Sequence, residues 1–164
     1  MFLICTVKKK LNLFVKKYKK FYKMIFEISV KNNELLEEFI TSMGDSRDSF
    51  RYFKTRPITV IENHLCTVLL LQDDRPIGYG HLDKEGDDVW FGIAVAHDFV
   101  GQGKGKLIMQ YLVDKADFLK LSEIKLSVDE NNEHAIKMYI KYGFVEIHRK
   151  NGVLFFSRKR MLWW

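Results

Sequence analysis

At 164 residues, 47% of them apolar, the chain can bury one sizeable core and is too short for two ordinary domains. Cys5 and Cys66 are its only cysteines, too few for a disulfide framework, which points to a reducing, cytoplasmic compartment; no apolar run reaches the roughly 18 residues of a membrane helix. The formal charge of +6 does not mark a nucleic-acid binder: residues 1–23 hold eight lysines and no Asp, Glu or Arg, and the remainder carries 19 basic against 21 acidic residues, so no domain-wide basic footprint is left.

Taken in chain order, the first segment is this basic leader. If helical, it sets Leu11, Phe14, Val15, Tyr18, Phe21 and Tyr22 on a stripe opposite the lysines, the pattern of an interfacial membrane helix. It is not a secretory signal, because its short apolar stretch, Met1–Val7, precedes the charges instead of following them. Met24 then opens Ile25–Val30, a first strand, so 1–23 reads either as an upstream extension of the reading frame or as a membrane-surface or partner-binding arm. Residues 24–164 read as a single domain.

Asn32 or Asn33 is placed to cap a helix with Leu35, Leu36, Phe39, Ile40 and Met43 at helical spacing, stopped by Gly44. A second short helix is expected over Asp45–Phe53, closed off by Pro57. Leu65–Leu71 is a β-rich run, Asp73-Asp74-Arg75-Pro76 a turn, and Ile77–Leu82 the next strand. Glu85-Gly86-Asp87-Asp88 turns the chain into Val89–Val95. A helix follows to about Leu119, then a strand near Ile124–Val128 and a helix from Asn132 to Tyr142. A hairpin closes the domain, turning at Asn151-Gly152, a type I′ signal.

Between the Trp90–Val95 run and the following helix lies Gly101-Gln102-Gly103-Lys104-Gly105-Lys106. Strand, glycine turn and helix start make an anion cradle: glycines accept positive φ, so several N–H groups can face one phosphate at the positive end of a helix. The dinucleotide spacing G-x-G-x-x-G does not fit, nor does the Walker spacing, since Lys106 precedes Leu107 rather than Ser or Thr. The stretch resembles the acetyl-CoA loop of the GCN5-related N-acetyltransferases, Q/R-x-x-G-x-G/A, with Gly103 and Gly105 in place and Val100 departing from the first position. Downstream, Asn132, Ala135, Tyr139, Gly143 and Phe144 fill all five positions of the same family's N-x-x-A-x-x-x-Y-x-x-x-G-F landmark. The resemblance covers roughly residues 24–160.

The resemblance implies an α/β (α+β) fold with a mixed, mostly antiparallel sheet of about seven strands and helices on both faces. It implies acetyl-CoA as co-substrate, with no metal. Ile93, Ala94 and Val95 would pair with the pantetheine arm, and Val100, Gly101, Gln102, Gly103, Lys104, Gly105 and Lys106 would take the pyrophosphate, with Asn132 and Tyr139 completing the cofactor site. A backbone N–H near Val95 would face the thioester oxygen, where charge develops. Since catalysis by orientation in a ternary complex needs no covalent intermediate, Cys66 reads as a core residue. Tyr139 matches the family's general-acid position, and His81, with an ordinary imidazole near neutral pH, is the candidate base, with Asp83 or a water chain as alternatives.

The acceptor is read from the segment joining the first helices, where Arg47, Phe50, Arg51 and Tyr52 would form a substrate wall through stacking and bidentate contacts. A small-molecule primary amine, such as an amino sugar or nucleotide-linked amino sugar, suits it. Protein N-terminal or lysine acetylation is the enzymatic alternative, and an acyl-CoA-binding or membrane-recruited module the non-enzymatic one. His64, His97, His134 and His148 lack metal-ligand spacing and read as surface or structural. Trp163-Trp164 reads as an interface, a packed terminus or neither, and a homodimer stays open.

Overall fold

Apolar runs closed by two-residue turns generate the centre of the sheet. In the computed structural model, which describes residues 24–160, β1 (Ile25–Glu27) is followed by α1 (Glu34–Ser42), α2 (Ser46–Ser49), α3 (Tyr52–Thr55) and the antiparallel strands β2 (His64–Gln72), β3 (Arg75–Glu85) and β4 (Asp88–Val95). Asp73 and Asp74, both at positive φ of 50° and 61°, join β2 to β3; two successive positive values match the right-handed twist of the strands. The second half runs α4 (Lys104–Phe118), β5 (Glu123–Asp129), α5 (Glu133–Lys141), β6 (Val145–Lys150) and β7 (Val153–Lys159). Asn151 and Gly152, at φ of 51° and 75°, form the expected I′ turn between β6 and β7. The basic leader and the Trp163-Trp164 pair lie outside the described residues.

The seven strands form one sheet in the order β1-β2-β3-β4-β5-β7-β6, antiparallel except where β4 meets β5. Alternation along β2 sends Cys66, Val68 and Leu70 into one core and Leu69 into the other. The first core is covered by α4, through Ile108, Met109, Leu112, Val113 and Ala116, and by α5 through Tyr139. The second is covered by Leu36, Phe39 and Met43 of α1. Burying these side chains at about 1.5–3 kcal/mol each drives the helices onto both faces. Cys66 is buried in the first core, where loss of water pushes its thiol pKa up. No helix among the described residues is long and apolar enough to cross a membrane.

Two expected elements differ. The first strand ends at Glu27, after which Ile28 N–H still reaches the Thr67 carbonyl at 2.9 Å before Val30–Asn32 turns as a 3-10 segment. The expected helix over 45–53 is broken in two at Phe50, whose extended backbone (φ −108°, ψ 90°) carries its ring to 5.6 Å from Tyr79. Packing of this partly buried ring against the second core offsets the break in the helix.

Candidate active site

β4 and β5 touch at a single register point, Trp90 against Lys125, and then separate. On its other edge β5 stays paired with β7 up to Asp129–Val153, and with no further register point to β5, Phe91–Val95 offers its outer backbone edge to the opening. A cavity of about 640 Å³ fills that gap, lined by Ile93, Ala94 and Val95 on one side and Ser127, Val128 and Asp129 on the other. Unpaired strand edges seek a partner, and here the partner space is a cleft sized for a ligand.

The glycine loop closes one end of this cleft. Gly101 and Gly103 sit at φ of 79° and 76°, a region that costs other L-residues about 1–2 kcal/mol, and Gly103 is the N-cap of α4. Among the described residues no carbonyl or side chain accepts from the N–H groups of residues 101–105. Free N–H groups at a 15-residue helix start form an anion site. Val100, Gly101, Gly103, Lys104, Gly105 and Lys106 line the cavity, as does Asn132. Asn132 also caps α5, its Oδ1 accepting from Ala135 N at 3.2 Å. Gln102 is not on the wall and instead donates to the Asp98 carbonyl at 2.9 Å; Lys104 Nζ donates to Gln72 Oε1 at 2.7 Å.

At the other end the walls are side chains. Tyr52 Oη lies 2.6 Å from Asp83 Oδ2 and 2.7 Å from His64 Nε2, and His64 Nδ1 lies 2.8 Å from Thr67 Oγ1. Burial pushes the Tyr52 phenol up and the His64 imidazole down to about 4, so the phenol keeps its proton and donates it to the carboxylate. His64 is then neutral, giving Nε2–H to Tyr52 and accepting at Nδ1 from Thr67. The Tyr52 ring packs tilted by 40° at 4.3 Å from the ring of His81, whose Nδ1 meets Tyr79 Oη at 2.9 Å. Arg56 lies over Tyr52 at 4.7 Å and bonds Glu85 at 2.9 Å; Arg51 bonds Asp129 at 2.6 Å, joining the acceptor-side segment to the end of β5.

Phe50, Arg51 and Tyr52, expected as a substrate wall, and His81, expected as the base, all line the cavity, while Arg47, exposed on α2, does not. Tyr139 enters from α5, packed near Phe91, Phe144 and Phe156, with its phenol pushed up by burial alone. Asp83 is buried beneath Tyr52 and does not line the cavity. Arg56, which lines the cavity, and His64, Thr67 and Tyr79, which hydrogen-bond behind its wall, were not singled out for this site, since no spacing rule links residues on α3, β2 and β3. Among the described residues, no group of three His, Cys, Asp or Glu side chains is placed to hold a metal.

Known proteins share this architecture. Solved structures with the same fold include the PaiA N-acetyltransferase of Thermoplasma acidophilum in complex with coenzyme A, at 16% identity and TM-score 0.66 over 83% of this chain and 98% of that one. The GNAT domain of S. lividans PAT matches at 15% identity and TM-score 0.70, over 83% and 89%. Two curated relatives are a spermine/spermidine N(1)-acetyltransferase of Bacillus subtilis strain 168 and a probable spermine N(1)-acetyltransferase of its natto subspecies. Each is 32% identical over 82 residues, 49% of this chain and 51% of the relative. The chain thus spans about half the length of the curated relatives it matches. The model of the acetyltransferase (GNAT) family matches residues 30–144, and on that match the chain belongs to the GNAT family of acetyltransferases.

Proposed function

We propose that this protein moves the acetyl group of acetyl-CoA to a primary amine of a small molecule by direct attack in a ternary complex. The observation that carries the reading is the single-point contact of β4 with β5, which frees the edge of Ile93–Val95 inside a cleft that ends on the unsatisfied N–H groups of 101–105. An extended amide-bearing arm with an anionic tail fits both features. Acetyl-CoA supplies the acyl group already activated as a thioester. Ile93, Ala94 and Val95 hold the arm, and the loop holds the pyrophosphate.

The remaining work belongs to side chains. Burial keeps the Tyr139 phenol protonated and makes it a weaker acid; on the cavity wall it serves as the proton donor to a leaving thiolate through close positioning. Phe50, Tyr52 and Trp90 hold the acceptor, and orientation supplies most of the rate. Arg51 and Arg56 are each already bound to a carboxylate, which leaves an anionic acceptor no unpaired guanidinium on this wall among the described residues. Exposed pairs of this kind are held weakly, and a cationic amine can take Asp129 or Glu85 from its partner. A flexible di- or polyamine, the acceptor class in the curated relatives' names, is therefore placed ahead of an amino sugar.

Thiol release from acetyl-CoA tests the proposal, with polyamines, amino sugars and an N-terminal peptide as acceptors. Acceptor-dependent free CoA, largest with polyamines, is expected. Thermal stabilisation by CoA with no turnover on any amine would instead make the protein a binding module.

A further inference from the structure

We infer that His81 serves the reaction as a fixed Nε2–H hydrogen-bond donor to a substrate oxygen over Gly92, and not as the base that takes the amine proton. This rests on the acetyl-transfer reading for its substrate and on hydrogen-bond accounting for its direction. Tyr79 is fully buried, and its hydroxyl meets one partner among the described residues, His81 Nδ1 at 2.9 Å. Were Nδ1 to carry the ring hydrogen, it would donate to Tyr79 Oη and leave the phenol hydrogen buried with no acceptor. The opposite arrangement satisfies both groups: Tyr79 O–H donates to Nδ1, and the imidazole hydrogen sits on Nε2.

Nε2 then faces the cavity. No buried side-chain nitrogen or oxygen among the described residues lacks a partner, and the protein offers Nε2 none, so it opens on the space that His81 lines. Gly92, the register partner of His81 on β4, creates that opening: a Cβ there would stand 2.4 Å from His81 Cε1 and 2.7 Å from Nε2. The residues that follow Gly92 are the ones that hold the acyl donor.

The groups around the ring keep it neutral. Tyr79 faces it from its own strand, Tyr52 from α3 at 4.3 Å and His64 from β2 at 4.9 Å; Asp83 is bonded to Tyr52, and Arg56 covers the Tyr52 ring. Burial first, then His64 and Arg56, push the imidazole well below its ordinary pKa, and burial keeps the Tyr79 phenol protonated. A neutral ring already protonated at Nε2 cannot take a second proton there. It stabilises an oxygen on which charge accumulates, and the amine proton leaves to solvent.

Imidazole 15N resonances of the full chain, assigned by comparison with His81→Gln, read the tautomer without CoA or acceptor. Expected is an Nε2–H tautomer that does not titrate between pH 6 and 9; an Nδ1–H tautomer or a titration in that window overturns the inference. Tyr79→Phe is expected to mix the tautomers, and an unchanged Nε2–H spectrum would deny Tyr79 its part. In turnover, His81→Ala is expected to lower kcat on the order of 100-fold while the acidic limb of the pH profile stays; loss of that limb would restore the base. Because the tautomer is read in the free protein, it stands or falls separately from acetyl transfer.

Discussion

The two ends of the cavity are made of different materials. At the proposed donor end the cavity offers backbone N–H groups of 101–105 and the open edge of β4; at the proposed acceptor end it offers side chains of Phe50, Tyr52, Trp90 and His81, locked by Asp83, His64 and Tyr79. A site built from backbone tolerates changes of side chain and fails when φ changes. A site built from side chains fails when one hydrogen-bonding partner is removed, and its specificity is set residue by residue. This contrast explains how one donor can be served by a short loop while the acceptor wall draws on three separate elements.

Perturbing each end differently tests the contrast. The largest effect is expected from Tyr139→Phe, which keeps the ring among Phe91, Phe144 and Phe156 but removes the proton donor: turnover falls roughly 100-fold, while CoA affinity by calorimetry stays within about twofold. Unchanged turnover would take Tyr139 out of the chemistry. Next comes Gly103→Ala at the donor end, where an added Cβ meets nothing within 4 Å, yet φ is 76°. The left-handed cost of about 1–2 kcal/mol is expected to weaken CoA binding about 5- to 30-fold at unchanged acceptor KM. An equal loss in both would show that the two ends are not independent.

The acceptor end carries a pH signature. His64 is held down to about 4 by burial, below the ordinary value near 6.5 of an unfolded histidine. Between these values the unfolded chain binds a proton that the folded one refuses, so stability is full above about pH 6.5 and is lost as pH falls toward 4. Melting temperature measured across that window should fall, and His64→Gln should flatten the slope. The smallest effect is expected from Arg51→Ala, which cuts the exposed pair to Asp129: less than about 1 kcal/mol of stability, a few-fold change in acceptor KM and none in CoA affinity. A change in CoA affinity instead would place Arg51 at the donor end.

The glycine loop was legible in the sequence because its geometry is local. Gly101 and Gly103 announce positive φ by being glycines, and the strand before them and the helix after them are contiguous with the loop. The type I′ turn at Asn151-Gly152 was legible for the same reason. The acceptor end was legible only in part: Phe50, Arg51, Tyr52 and His81 reach the wall, but Arg47 faces away from it on a four-residue helix. The break at Phe50 was not legible, because a helical pattern over 45–53 does not reveal that Tyr79 and His81 wait to receive the ring.

By itself, then, the sequence determined the order of elements, the two-faced sheet and the glycine turn at the start of α4, all products of short-range periodicity, turn chemistry and helix starts. The tertiary structure decided what no local rule reaches. Parallel β4 and β5 part after one residue pair, while β5 stays paired along its other edge to β7 from Glu123 to Asp129. Tyr52, His64, Tyr79, His81 and Asp83 meet because β2 and β3 align in register beneath α3. Arg51 finds Asp129 across 78 positions of chain. Hydrogen bonds among buried side chains depend on which strands lie side by side, and spacing along a chain does not carry that information.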